Sequence, residues 1–484
     1  MFPLQFNQQI PGAAASTAKL AVYSPYDERL LGTIESSDAA ALQTALVNAA
    51  ALFADDSRSL SASERIRILS ALANLMIQKM DQLALLAASE GGKPMTDTKA
   101  EVLRAIDGVK TCIEVLRTGH GKEIPMNLNA ASTGKLAFTH REPIGPVLAF
   151  SAFNHPLNLI VHQVVTAIAA GCPVIIKPAE TTPLSCFHLV QLLTEAGLPE
   201  GWCQPFVVSD ITVARQIVSD HRIAFFSFIG SARIGWDLRS MLAPGVRCAL
   251  EHGGAAPVLV CADADLKKAV PKIIKGGMYH AGQVCVSVQR VFVARERLSE
   301  LQSALVNGCQ NLVVGDPLLE ETQIGPLIRS DALPRLQGWV DDAVADGAEL
   351  LCGGRSLANN CYAPTVLLNP PIDAAVSCQE VFGPILCLYP FDSIEEAIAL
   401  ANRLPFSFQA ALFTESLDTA MLGLRRLKAQ AVLVNEHTAF RVDWMPFGAG
   451  QHSGLGIGGI AYTMQDLQKE KLLVIHSAAL NNWA

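Results

Sequence analysis

The chain has 484 residues, too many for one ordinary core, so two or more domains are expected. Half of its residues are hydrophobic and 17% are charged; with a formal net charge of −8 and no basic cluster, composition speaks for extensive burial and against a nucleic-acid-binding surface. The longest apolar stretch, 164–176, is interrupted by Thr166, Gly171 and Pro173 and is too short to span a bilayer; no secretory leader is evident, and twelve singly scattered cysteines read as reduced thiols of a cytoplasmic protein.

Residues 61–89 carry a long amphipathic helical pattern, opened by the capping-box spacing of Ser61 and Glu64 and stopped by Gly91-Gly92. Residues 120–140 are irregular and polar, then extended, and suit an arm, as does the apolar 472–476 near the end. From 144 to 260, short apolar runs alternate with helical patterns. Residues 146–150 read as a buried strand, 157–170 as a helix and 174–176 as the next strand. Thr182-Pro183 supplies an N-cap and an N1 proline, Gly197 closes that helix, and 206–208 and 224–226 continue the strand series. Apolar, non-alternating strands separated by helices indicate a parallel sheet covered on both faces, a Rossmann-like doubly wound unit. A second region rich in β–α units follows from about 253 to 450, with its clearest strands at 291–293, 363–367 and 431–434.

Several motifs carry chemistry. Cys285, in Gly282-Gln283-Val284-Cys285, is a thiol in a turn, and Glu251 stands before His252-Gly253-Gly254. A thiolate nucleophile with a positioned base suits covalent chemistry on a carbonyl. Gly230-Ser231 follows a predicted strand and opens a predicted helix, where free N–H groups could receive a pyrophosphate; an ordinary glycine-containing turn is the alternative. Lys177 and Glu180 lie at the C-terminal edge of a predicted strand, where they could bracket ribose hydroxyls or simply be solvated. Asn154, just past another strand end, offers an amide donor to an oxyanion or forms a turn. Glu380 could contact a sugar hydroxyl. The eleven histidines show no ligand cluster, so no metal is expected.

Taken in order from about residue 20 to 470, these segments resemble the aldehyde dehydrogenase superfamily: Asn154, Lys177 to Glu180, Gly230-Ser231, Glu251 to Gly254, Gly282 to Cys285, Glu380 to Pro384, Asn435 and Pro446 to Gly448. Each is weak alone; the ordered set is specific. The resemblance implies an α/β fold with a Rossmann-like cofactor domain (1–118 and 140–252), an α/β catalytic domain (253–451) and a small β oligomerisation arm (119–139 and 467–484), assembled as a homodimer or homotetramer. It also implies that Cys285 attacks an aldehyde to give a thiohemiacetal, that Asn154 and the Cys285 N–H hold the oxyanion, and that Glu251 activates the water which releases a carboxylate from a thioester. Lys177 and Glu180 would hold the adenosine ribose, Gly230 and Ser231 the pyrophosphate, and Glu380 and Phe382 the nicotinamide riboside. A carboxylate at 180 favours NAD over NADP, without excluding NADP.

There are departures from the family pattern. His252 replaces the leucine usual after the general base, Gln451 or His452 a lysine, Ile457 a basic residue, and Phe406-Ser407-Phe408 a Tyr-Gly-Leu motif. The stretch Arg441-Val-Asp443-Trp-Met-Pro-Phe447 is similar to that of lactaldehyde- and phosphonoacetaldehyde-like members, which act on small polar or anionic aldehydes. Arg441 has two readings, a partner for a substrate anion or a structural residue, either paired with Asp443 or at an interface, and the structural one is favoured. Aromatic and aliphatic aldehydes stay open. A CoA-acylating enzyme is disfavoured by Glu251, and a non-catalytic member by Cys285 and Asn154.

Overall fold

The apolar runs between 147 and 251 form five parallel strands, Val147–Phe150, Val174–Lys177, Cys203–Pro205, Phe225–Ile229 and Arg247–Glu251. The computed structural model describes residues 2–481. In space the strands run third, second, first, fourth, fifth, and Gly454–Leu455 pairs antiparallel with the last. Val147, Ala149, Val174 and Ile176 face one apolar cluster, shared with Leu69 and Leu72 of the helix Ala62–Gln78. Leu148, Phe150 and Ile175 face another, shared with Leu42 and Leu46 of the helix Ala39–Ala54. Successive side chains point to opposite faces and both faces are buried, so no polar alternation survives in these strands. Strand order reverses between Val147–Phe150 and Phe225–Ile229; in sheets of this kind the ligand crevice lies beyond the C-terminal strand ends at such a reversal.

A second, seven-stranded sheet runs in the order Glu349–Cys352, Thr365–Leu368, Ile385–Phe391, Val288–Ala294, Ala256–Val260, Gln409–Phe413, Ala431–Val434. All its pairings are parallel except that of the edge strand Glu349–Cys352. Its apolar cluster also takes in Leu301 and Leu305 of the helix Leu298–Gln310 and Leu336 and Val340 of the helix Ala332–Ala345. Only residues 252–255 separate the last parallel strand of the first sheet from the strand Ala256–Val260 of the second.

Several local expectations are corrected by tertiary packing. The pattern over 61–89 is two helices, Ala62–Gln78 and Met80–Gly91, parted at Lys79. Leu72 and Met76 serve the core of the first sheet, as do Leu83 and Ala84 of the second helix, whose Leu86 also joins Phe6 and Val22 of a small N-terminal sheet (Leu4–Phe6, Lys19–Tyr23, Leu30–Glu35). The Ser61–Glu64 capping box is formed as the spacing predicts. The helix Leu184–Glu195 is not capped by Thr182: Glu90 accepts from Leu184 N and Ser185 N at 2.8 Å each. The strand expected at 206–208 lies at Cys203–Pro205; Phe206, whose N–H donates to Ile176 O at 2.9 Å, and Val207 are buried beyond its end, in two different cores.

The helix expected over 157–170 forms as Asn158–Ile160, a π-turn at Val161–Val165 and Thr166–Ala170. The arm-like segments pair with each other: Lys135–Pro143 runs antiparallel to Gln468–His476 over nine residues, with Glu123–Ile124 on its other side. The first of these strands continues four residues past 139, the expected end of its segment.

Candidate active site

The two sheets meet at their edges. The first presents C-terminal strand ends, carrying Lys177, Gly230 and Glu251; the second presents the approaches to N-terminal strand ends, carrying Cys285 before Val288 and Glu380 with Phe382 before Ile385. Asn154, beyond the end of Val147–Phe150, bridges them, its Nδ2 donating to Gln283 O at 3.0 Å. Gln283 is itself held on both ends of its amide: Nε2 donates to His280 O and Pro326 O at 3.2 Å, and Oε1 accepts from Ile328 N at 2.9 Å. The preceding residues His280 and Ala281 take left-handed backbone angles (φ 50° and 53°). Such angles cost non-glycine residues on the order of 1 kcal/mol each, and the surrounding packing must hold them. Gly282 (φ 71°) has the Gly383 carbonyl where a Cβ would stand. The turn that aims Cys285 is therefore over-determined.

Burial pushes the Cys285 thiol up to about 12, the Glu251 and Glu380 carboxylates add to the rise, and the Arg441 guanidinium opposes it. Burial likewise raises the Glu251 carboxyl above its usual range, with Arg441 opposing. The Glu251 carboxylate lies against Gly458, where any side chain would collide with it. Four of the singled-out residues thus share one electrostatic site: Cys285, Glu251, Glu380 and Arg441. Phe382, itself at φ 49°, stands edge-on to Phe153 with ring centroids 5.7 Å apart.

Arg441 is almost wholly buried and lies over the Phe447 ring, 3.6 Å from its centroid. Its Nε makes no hydrogen bond, and its approach to Asp443 is a long 3.8 Å. Asp443 is already held elsewhere: Arg104 forks it at 2.9 and 2.8 Å, Asn158 donates at 3.2 Å, and His162, on the π-turn, sits 2.7 Å away. The Arg441–Asp443 pair favoured on spacing is therefore a loose contact, and the tight partner is Arg104, remote in sequence and indistinguishable there from any helix-surface arginine. His155, near Arg104 and Arg441, is held neutral by burial first and by these and other cations second; its Nε2 is 3.4 Å from the Tyr279 hydroxyl.

The remaining candidates form a cradle at the C-terminal edge of the first sheet. Lys177 and Glu180 are joined as an ion pair, and Lys177 Nζ lies 5.8 Å from the centre of the Phe150 ring. Burial disfavours the Glu180 charge, yet Lys177 outweighs it and the pKa is lowered. Ser231 is the N-cap of the helix Ala232–Arg239 and makes no side-chain cap bond, leaving first-turn N–H groups unclaimed by it. Across the crevice Glu380 keeps one buried carboxylate oxygen without a partner, and burial pushes its carboxyl up to about 7. Hydroxyl acceptors at 180 and 380, with a helix N-terminus between them, fit a dinucleotide.

The chain matches the model of the aldehyde dehydrogenase family over residues 13–473. It is 36% identical over 433 residues to a 3-sulfolactaldehyde dehydrogenase of Priestia aryabhattai, covering 89% of this chain and 90% of that protein. Among solved structures it superposes on aldehyde dehydrogenase 21 from Physcomitrella patens in complex with its product succinate (TM-score 0.94, 31% identity, 99% of each chain). It also superposes on a glyceraldehyde-3-phosphate dehydrogenase from Methanocaldococcus jannaschii complexed with NADP (TM-score 0.90, 31% identity, 95% of this chain and 99% of that one). The chain belongs to the aldehyde dehydrogenase family. It is an NAD(P)-dependent aldehyde dehydrogenase by that membership.

Proposed function

We propose that the protein oxidises a small aldehyde with an anionic tail to the carboxylate, using NAD+ or NADP+ and leaving hydrolysis to water. Cys285, its thiol proton given up to solvent, attacks the carbonyl carbon through Sγ, and the new oxyanion is held by Asn154 Nδ2 and the Cys285 N–H. A bound dinucleotide, held by Lys177, Glu180, Gly230, Ser231, Glu380 and Phe382, supplies the hydride acceptor. Loss of hydride leaves a thioester on Cys285; Glu251 then takes a proton from water, whose oxygen attacks the acyl carbon and displaces the thiolate. The Lys177–Glu180 pair supports NAD over NADP, because Glu180 would repel a 2′-phosphate.

The observation that carries the substrate class is Arg441: a buried guanidinium whose Nε makes no hydrogen bond, 3.8 Å from an Asp443 already held by other partners, and whose charge acts on both Cys285 and Glu251. The three relatives named above act on or hold a sulfonate, a carboxylate or a phosphate, each an acceptor for a guanidinium. A neutral aromatic or aliphatic aldehyde would leave that cation with only the long 3.8 Å contact to Asp443. The arm strands, with Leu472, Leu473, Val474 and Ile475 exposed, are the proposed contact with a second copy.

The test is NADH absorbance with 3-sulfolactaldehyde, succinate semialdehyde and butyraldehyde. The anionic pair should give kcat/KM at least about tenfold above butyraldehyde, and Arg441→Gln should remove that advantage, a charged hydrogen bond being worth about 1.5–3 kcal/mol. A variant that keeps the preference overturns the role of Arg441.

A further inference from the structure

The residue that follows the proposed base is a histidine, and its ring is not used in the chemistry above. His252 is 1% exposed. Its Nδ1 lies 3.0 Å from Gly230 O, an acceptor only, so Nδ1 carries a proton, and burial lowers the imidazole pKa and keeps the ring neutral. Nε2 is then a bare lone pair, buried without a partner. The ring is wedged edge-on between Phe228 (centroids 5.7 Å apart) and Trp236 (5.6 Å), and it fills the space a side chain on Gly235 would need.

These contacts converge on one turn. Gly230 donates its N–H to Glu251 O at 3.0 Å and receives the His252 ring on its carbonyl, so both of its backbone polar groups are tied to residues 251 and 252. A Cβ on Gly230 would lie 2.8 Å from the Phe228 ring, so the turn cannot shift sideways without repacking. His252 N donates to Ser453 O at 2.9 Å, and Trp236 Nε1 to His452 O at 3.3 Å. The departure from the family pattern at 252 is therefore held by the backbone of 452 and 453 and by Trp236 of the helix Ala232–Arg239.

We propose that His252 is a positioning residue for the dinucleotide: its Nδ1–H pins the Gly230–Ser231 turn in the shape that receives the pyrophosphate and ties that turn to the strand bearing Glu251. This rests on the cofactor placement given under Proposed function. A leucine would fill much of the ring's volume without the donor, whereas an asparagine amide N–H reaches about where Nδ1 stands.

Calorimetric NAD+ binding tests it. His252→Leu should weaken the Kd about threefold to tenfold, the worth of one net hydrogen bond, and raise the KM for NAD+ while leaving the aldehyde KM in place. His252→Asn should recover most of the loss. Gly235→Ala, which displaces the ring but keeps its chemistry, should weaken NAD+ binding similarly and serves if the leucine variant does not fold. Wild-type NAD+ affinity in His252→Leu, or equal losses in the Leu and Asn variants, overturns the proposal. Ser231→Glu separates the two layers, since an added carboxylate at the helix start should abolish binding. A loss there with His252→Leu unchanged overturns only the role of His252; unchanged binding in both overturns the cofactor placement as well.

Discussion

At the scale of single residues, the reactivity of Cys285 is a balance of neighbouring charges. Burial and two carboxylates raise the thiol pKa and Arg441 lowers it, so the free enzyme holds a thiol at neutral pH. Alkylation by iodoacetamide, followed at Cys285 by mass spectrometry, should be slow at pH 7 and rise steeply towards pH 10. Arg441→Gln removes the opposing cation and should slow alkylation at any one pH; Glu251→Gln removes a carboxylate and should speed it. The same sign for both variants would contradict this balance. Glu251→Gln should also leave at most a single rapid turnover of NADH by stopped flow, because in the proposed mechanism hydride loss to the thioester precedes the hydrolysis that needs the base at 251. Since burial raises the Glu251 carboxyl, activity should fall on acidification at a pH above that of an ordinary glutamate.

At the scale of elements, one buried acid organises three of them. Asp443 is fixed by Arg104 on the helix Met95–Thr118, by Asn158 at the start of the interrupted helix and by His162 on its π-turn. Burial opposes the charge, but His162 and Arg104 outweigh it and hold the carboxyl far below the usual range. The sign follows: a depressed folded-state pKa adds stability above the unfolded value of about 3.9, and that stability is lost as pH falls below it. Asp443→Asn should cost on the order of 3 kcal/mol at pH 7 by denaturant unfolding, because Arg104 and Arg441 lose their buried counter-charge. The gap between variant and wild type should narrow below about pH 4. The same logic explains why helix starts were only partly legible. The Ser61–Glu64 box is local and readable, whereas Glu90 caps Leu184 and Ser185 from 94 residues away.

At the scale of the whole molecule, opposed sheet edges make the site, and a β arm projects beside them. In the strand Gln468–His476 every residue after Gln468 is exposed, including Leu472 to Ile475 in succession, an arrangement that water does not favour. If the arm is the proposed contact between copies, replacing Leu473 and Ile475 by aspartate should shift sedimentation towards monomers in analytical ultracentrifugation while leaving the far-ultraviolet circular dichroism unchanged. Unaltered sedimentation would remove the arm from the interface.

Much of this was readable in one dimension. Non-alternating apolar runs marked the parallel sheets, because strands buried on both faces have no polar side. The ordered motifs at 154, 177–180, 230–231, 251–254 and 285 marked the candidate site, because each places a particular side chain or glycine near a strand end. What the sequence could not supply was partnership across distance. The Arg104–Asp443 fork joins residues 339 positions apart, the Asn154–Gln283 bridge 129, and the contact of His252 with Gly230 and Gly235 depends on two strands lying side by side. Composition and spacing carry the chemistry each residue is able to do; only the folded chain decides which neighbours satisfy it and which, like Arg441 Nε and His252 Nε2, are left without a partner.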